Sequence, residues 1–356
     1  MPSSTDLSAL RADLKRKLTD GTYASLSERL SMIPRRIFPG FIKSNLSAFL
    51  FWSLLHFLCS NLLYFLDGIE AWKDWAVITL ISSFLFWWGV FLYADLYRQL
   101  YKVLSEYVVD AMPQPGDILK LDGWIKRASD FKWVLVFFIF FMVFLFGYQF
   151  PFLTAIHDSP GIGSIIVSMS AYIPLSIVQH QLLALMLFPL VLSRYEIDLY
   201  ELDPGISPSL YHLSLVIRNS SNSLSIYATI FTFYLVYLLK MPFFPTGIFY
   251  LLPLLGIFVF RQIGLSLIVG RARWTTLERL RTKMEKLDVE HHFDAPAVYG
   301  QYKAMLEYYT RVKNAEAGIF DARTGTLLFN SFILPLIAFL LFQFDRIVDF
   351  IGRFIH

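Results

Sequence analysis

The sequence predicts an all-α polytopic membrane protein with seven transmembrane helices, its amino terminus in the cytosol and its carboxyl terminus outside, and with helices that run on into a cytosolic layer. Three observations carry that expectation. The 356 residues are 56% hydrophobic and 17% aromatic, with a mean hydropathy of +0.53, and 17% are charged, against about 25% in soluble domains. Seven apolar segments, at 46–66, 75–96, 133–153, 162–192, 224–239, 243–269 and 326–344, approach or exceed the roughly 20 residues that cross a bilayer core. Lys and Arg alternate between the loops: the arm 1–45 carries eight and the loops 97–132, 193–223 and 270–325 are basic, whereas the intervening loops hold Lys73, none in 157–161, and Lys240. Positive loops stay inside.

In the cytosolic arm 1–45, Leu7, Leu10, Leu14 and Leu18 share one helical face, with Arg11, Lys15, Arg16 and Lys17 elsewhere. Such a helix can lie on anionic lipid or dock on the cytosolic layer. Pro34-Arg35-Arg36 and Pro39-Gly40 are expected to break the pattern before the first span. The arm has no short apolar core with a small-residue cleavage site, so the first span is expected to act as its own insertion signal. Cys59, the one cysteine, excludes an internal disulfide and a thiolate zinc site.

The transmembrane domain, 46–344, has cytosolic extensions at 97–132, 184–223 and 261–325. The second segment continues as Tyr97, Leu100, Tyr101, Leu104, Tyr107 and Val108, one face of a helix that outlives the membrane. The fourth is 31 residues long; either 184–192 projects inward or the helix is tilted and kinked at Pro174 and Pro189. Ser207-Pro208-Ser209 reads as a cap, so the fifth helix starts near Pro208. The stretch 241–287 reads as one uninterrupted helix, with Arg261 and Gln262 at the inner bilayer boundary and the apolar 263–269 covered by protein. Leu277, Leu280, Met284 and Leu287 repeat at three, four, three, which suits a bundled helix or a seam between subunits. After Pro296 a helix over 298–315 returns toward the membrane, with Tyr302, Met305, Leu306 and Tyr309 as its apolar face. The tail 345–356 carries Ile347, Phe350, Ile351 and Phe354 on one side and reads as an interfacial helix.

No phosphate-cradling glycine loop, nucleophile elbow or His-Glu-x-x-His pattern occurs, so an enzyme is not expected. Glu290, His291, His292 and Asp294 are the densest set of metal-ligand types, but adjacent histidines point to different sides, and a solvated turn is the plainer reading. Neither a metal nor a cofactor is expected. The acidic run Glu196, Asp198, Glu201 and Asp203 is either a hydrated connector or a ring of carboxylates at a pore mouth. Polar residues at membrane depth, His56, Asn61, Gln149, Gln179, His180, Gln181, Asn330 and Gln343, either tie helices together or line a path. Gln179-His180-Gln181 falls near the inner boundary of the overlong fourth helix. Thr229, Thr232, Tyr234 and Tyr237, with Asn330 and Ser331, are further pore candidates. No Asp, Glu or Lys sits in mid-span, which argues against a proton-coupled pump.

The topology resembles the insect gustatory and odorant receptor superfamily and its receptor-like relatives. The local match is AFLLFQF, Ala338 to Phe344, similar to the family's apolar run ending in Gln-Phe, with Leu336 and Ile337 where that motif has Thr-Tyr. The resemblance implies the same orientation, cytosolic extensions that anchor subunits to one another, and a tetrameric cation pore lined by the last helix, with Gln343 and Phe344 near its outer end. The expected function is an oligomeric membrane ion channel or pore with ligand gating. The alternatives are a non-conducting scaffold or sensor signalling through its cytosolic helices, and a transporter of a small apolar or lipid-like molecule. Expected partners are the lipid bilayer, further copies of the chain and a small-molecule ligand, with no nucleic acid; the expected location is the plasma (cell inner) membrane.

Overall fold

The computed structural model describes residues 4–140, 142–143, 162–200, 207–234, 243–286 and 296–314, and every regular element among them is a helix. Helices α1 (Ser4–Thr19) and α2 (Leu26–Ile37) precede two long helices, α3 (Asn45–Asp67) and α4 (Ile69–Val103), the second prolonged by a π-helical turn, Leu104–Val108. Then come α5 (Pro115–Ala128) and the short apolar α6 (Phe131–Phe140). Next are α7 (Ile162–Leu192), α8 (Pro208–Phe233), α9 (Phe243–Glu285) and α10 (Pro296–Asn314). Among the described residues three helical stretches are long and apolar enough to cross a membrane: Asn45–Asp67, Ala76–Val108 and Ile162–Leu192. The segment 326–344, the tail 345–356 and the loop with Glu290, His291, His292 and Asp294 lie outside the described residues.

Gly68 turns the chain from α3 into α4 at φ 136°, a conformation that favours glycine. The two helices run antiparallel, and at their far end Asn45 Nδ2 donates to the Asp95 carboxylate. Helix α7 is antiparallel to α3. Its first amides, Gly163 N and Ser164 N, donate to Asp67 at 2.9 and 2.6 Å, and Ser164 Oγ donates at 2.7 Å. A carboxylate there satisfies amides that have no partner within the helix and suits the positive end of its dipole. Gly163 is needed for this approach, since a Cβ would collide with the Leu63 carbonyl oxygen. Between α4, α7 and α8 the space is filled by aromatic side chains: Phe86 and Phe231 lie 5.5 Å apart, Trp88 meets Tyr227 edge-on at 5.5 Å, and Tyr93 and Tyr172 are buried. The outer face of α3 keeps Leu50, Leu54, Leu58 and Leu62 exposed at four-residue spacing, as a lipid-facing helix would.

Beyond the level of Asn45 and Asp95 the long helices continue into a basal layer. Tyr97, Leu100, Tyr101, Leu104 and Val108 are buried there, the face the sequence pattern picks out, and Tyr107 stacks on His212 of α8 at 4.2 Å. Near the end of α7, Phe188 packs on Trp124 of α5 at 5.4 Å, and Leu192, Met112, Ile118, Leu121 and Ile125 are fully enclosed. Pro174 and Pro189 lie inside one continuous helix, and in 184–192 Ala184, Leu185, Phe188 and Leu192 pack against protein while Leu187 stays exposed.

The leucine face of α1 is docked on this layer and not on lipid. Leu14 and Leu18 are buried, Arg11 donates to the Met112 carbonyl at 2.8 Å, and Lys15 pairs with Asp110 at 2.6 Å. Burying one leucine is worth about 1.5–3 kcal/mol, more than an exposed ion pair at roughly 0–1 kcal/mol, so the apolar face holds the arm and the charges orient it. Nearby, Tyr23 donates to Asp122, and burial together with that carboxylate pushes the phenol up to about 12.

Three local expectations change. Pro34 does not break the helix, because α2 runs through it to Ile37. Proline lacks the N–H that would reach the carbonyl four residues back, and Leu30 O instead accepts the Trp52 indole N–H at 2.9 Å. Ser207 precedes α8 as expected, with Pro208 in its first turn, but its hydroxyl accepts from Tyr200 N at 2.7 Å instead of capping the helix. In α10, Tyr302, Met305 and Tyr309 are half-buried and Val312 is enclosed, whereas Leu306 is exposed. One residue is about 100° of helix, which carries Leu306 off the packed side.

Candidate functional site

The polar groups of interest gather where the long helices pass from the bundle into the basal layer. Helix α2 is set there by a capping box: Glu28 N donates to Ser25 Oγ at 3.3 Å and Ser25 N donates to Glu28 Oε2 at 2.8 Å. That start aims Ser27 at α7, and Ser27 Oγ donates to Gln181 Oε1 at 2.7 Å. Tyr97 OH of α4 donates to the Gln181 carbonyl at 3.2 Å. Gln181 is 2% exposed and Ser27 fully buried. One residue thus ties α2, α4 and α7 together, as interhelical polar contacts do in membranes. Arg35 donates to Asn45, which in turn donates to Asp95, and this chain of polar groups marks the same end of α3 and α4. Glu28 is buried among them, and loss of solvent raises its carboxyl above the usual range against the pull of the two Ser25 hydrogen bonds.

Gln179 and His180 are also buried, with the His180 ring 6.0 Å from Phe137 of α6. Higher in the bundle, His56 Nε2 lies 3.2 Å from Ser170 Oγ, and Asn61 Nδ2 donates to the Phe57 carbonyl at 2.8 Å. Thr229 is exposed on α8, the side chain of Thr232 is not among those described, and Asn330, Ser331, Gln343 and Gln149 lie outside the described residues. Of the acidic run, Glu196 and Asp198 are exposed and held by their backbones: Glu196 N donates to Asp117 Oδ2 at 2.9 Å and Asp198 N to the Ala111 carbonyl at 2.6 Å. Glu201 and Asp203 lie outside the described residues.

Arg261 and Gln262 form the other polar element of this region. Helix α9 passes unbroken through them to Glu285. At Gly264 it approaches α7 so closely that a Cβ would lie 2.5 Å from the Pro189 carbonyl carbon. That contact draws Arg261 and Gln262, each 4% exposed, into the interior. Among the described residues, Arg261 Nε and both amide atoms of Gln262 have no hydrogen-bond partner. Arg218 of α8 acts on Arg261 by like-charge repulsion. Of the stretch 263–269, Leu265, Ile268 and Val269 are buried, while Ile263 and Leu267 stay exposed. The apolar run past Arg261 is thus half covered within the chain.

Sequence reasoning flagged Gln181 and Arg261 but not Ser27, Asp67 or Arg218. The Ser25-x-x-Glu28 box was a readable signal for the start of α2. No signal in the sequence pairs Asp67 with α7 or Arg218 with Arg261, because each pairing depends on which helices become neighbours. No protein-family model, curated protein or solved structure matches the chain.

Proposed function

We propose that the chain is the protomer of a homo-oligomeric membrane channel with seven spans, its amino terminus and basal layer in the cytosol, in the plasma (cell inner) membrane. The outer stripe of α9 carries this reading. Val259, Ile263, Leu267 and Trp274 follow one another on one side of the helix and stay exposed, Trp274 at 70%. With Arg261 at the bilayer boundary, Leu267 and Trp274 stand beyond the lipid, where exposed apolar surface calls for protein cover. Further copies of the chain supply it around an axis.

The aromatic filling between α4, α7 and α8 favours a path between protomers over one through a protomer. In this reading the segment 326–344 lines the path, with Asn330 and Ser331 facing it, Gln343 near its outer end and a small molecule as gating ligand. Polar and apolar rings without mid-span charge suit passive conduction. Recording from purified protein in planar bilayers tests the reading. Discrete currents abolished by Asn330→Trp are expected, and electrical silence of the intact oligomer overturns it. The clamping of α1 and α2 onto the long helices favours a rival, a non-conducting sensor that signals through the basal layer, and the same recording separates the two.

A further inference from the structure

We propose that Arg261, Gln262 and Arg218 form a binding site for a phosphate oxyanion between α8 and α9, and that an anionic lipid headgroup of the inner leaflet fills it. An arginine stays charged at any accessible pH. Enclosing such a charge without a counter-ion is strongly unfavourable, and proteins keep buried charges paired. Arg261 is 4% exposed, its Nε has no partner, and among the described residues no carboxylate forms an ion pair with it. Its electrostatic neighbour is a second arginine, Arg218, on the helix packed beside α9, and the two repel. A single anion bound at Arg261 compensates its charge and weakens that repulsion.

The donor set fits phosphate. Guanidinium presents a planar fork of N–H groups that matches phosphate oxygens in pairs. Gln262 adds an unbonded amide N–H₂ and an unbonded carbonyl oxygen on the neighbouring position of the helix, suited to a phosphate that carries a hydroxyl group beside it. The position favours a lipid as the source. Basic pockets between spans on the cytoplasmic side take anionic headgroups, and Arg261 follows the apolar part of α9 directly while Arg271 and Arg273 come about three turns later. The choice of leaflet rests on the orientation proposed above. The site itself does not depend on conduction, so an electrically silent oligomer would leave it standing.

Thermal melting of the detergent-purified full chain is the test, with phosphatidylglycerol, phosphatidylcholine or inorganic phosphate titrated in. Phosphatidylglycerol is expected to raise the melting temperature and phosphatidylcholine to leave it unchanged. Arg261→Gln is expected to melt no lower than the parent without lipid, since it removes an unpaired buried charge. It should also weaken the phosphatidylglycerol effect about tenfold or more, the loss expected for charge-assisted hydrogen bonds. Arg271→Gln, at an exposed position of the same helix, should respond as the parent does. Equal stabilisation by inorganic phosphate, lost in Arg261→Gln, would keep the oxyanion site and overturn the lipid source. A phosphatidylglycerol response that survives Arg261→Gln undiminished, or no response in the parent, would overturn the site.

Discussion

Gln181 and Gln262 are the same residue type, buried to 2% and 4% exposure on two helices that pack together, yet their surroundings differ in kind. The Gln181 amide oxygen accepts from Ser27 and its backbone carbonyl accepts from Tyr97. Among the described residues Gln262 has neither amide atom bonded, and the residue before it is an arginine whose Nε has no partner there. Burying an amide without a compensating bond costs roughly 1–3 kcal/mol in proteins, so the first site adds to stability and the second subtracts from it. The difference separates a glutamine that ties helices together from one whose amide is left unbonded among the described residues.

The largest effect should come from the contact that creates the defect. Gly264 lets α9 touch the backbone of α7 at Pro189, and backbone cannot yield as a side chain does. Gly264→Ala is expected to cost about 1–3 kcal/mol, read as a lower melting temperature in detergent, and to loosen the enclosure of Arg261 and Gln262. An unchanged melting temperature would mean that the helices separate freely, and the burial of Gln262 would lose its significance.

Next in size is Gln181→Leu, which leaves Ser27 Oγ enclosed without its acceptor. A loss of about 1–3 kcal/mol is expected, and adding Ser27→Ala should recover part of it, since an apolar pair of matched shape is tolerated. If the double variant is as unstable as the sum of the two singles, the hydrogen bond is not what Gln181 supplies. Gln262→Leu, the same substitution at the other site, should instead raise stability by up to about 1 kcal/mol in detergent without anionic lipid, because no bond is lost and an unbonded amide is removed. Destabilisation there would show that Gln262 has partners the comparison denies it.

The two sites were unequally legible in the sequence. Helical periodicity marks faces, so the extent of the long fourth helix, the continuity of α9 through Arg261 and the buried face of Tyr97 to Val108 were all readable. Periodicity does not name the partner of a face. Ser27 and Gln181 are 154 residues apart, and both reside in segments whose neighbours are decided by packing. Pro34 misled for a related reason: the carbonyl it leaves unbonded is satisfied by Trp52, a side chain from another helix. Arg261 was legible as the charge that interrupts an apolar run, which is a one-dimensional signal. Its enclosure beside Gly264 and Pro189 was not.

Glu28 offers the finest test, because it sits in the bonded site yet is itself disfavoured as an ion. Burial raises its carboxyl from the ordinary value of 4.5, with the Ser25 bonds opposing the shift. A group whose folded value lies above its unfolded one binds more protons when folded, so its contribution is fully present below 4.5 and fades as pH rises through the folded value. Glu28→Gln keeps the acceptor that the capping box needs and removes the titration. The variant should therefore gain on the parent as pH is raised from 4.5 to 7 in paired melting curves. A pH profile parallel to the parent's would mean that solvent reaches Glu28 in the folded chain. The seat of α2 against Gln181 would then be wetter than its hydrogen bonds imply, and the contrast with Gln262 would narrow from the bonded side.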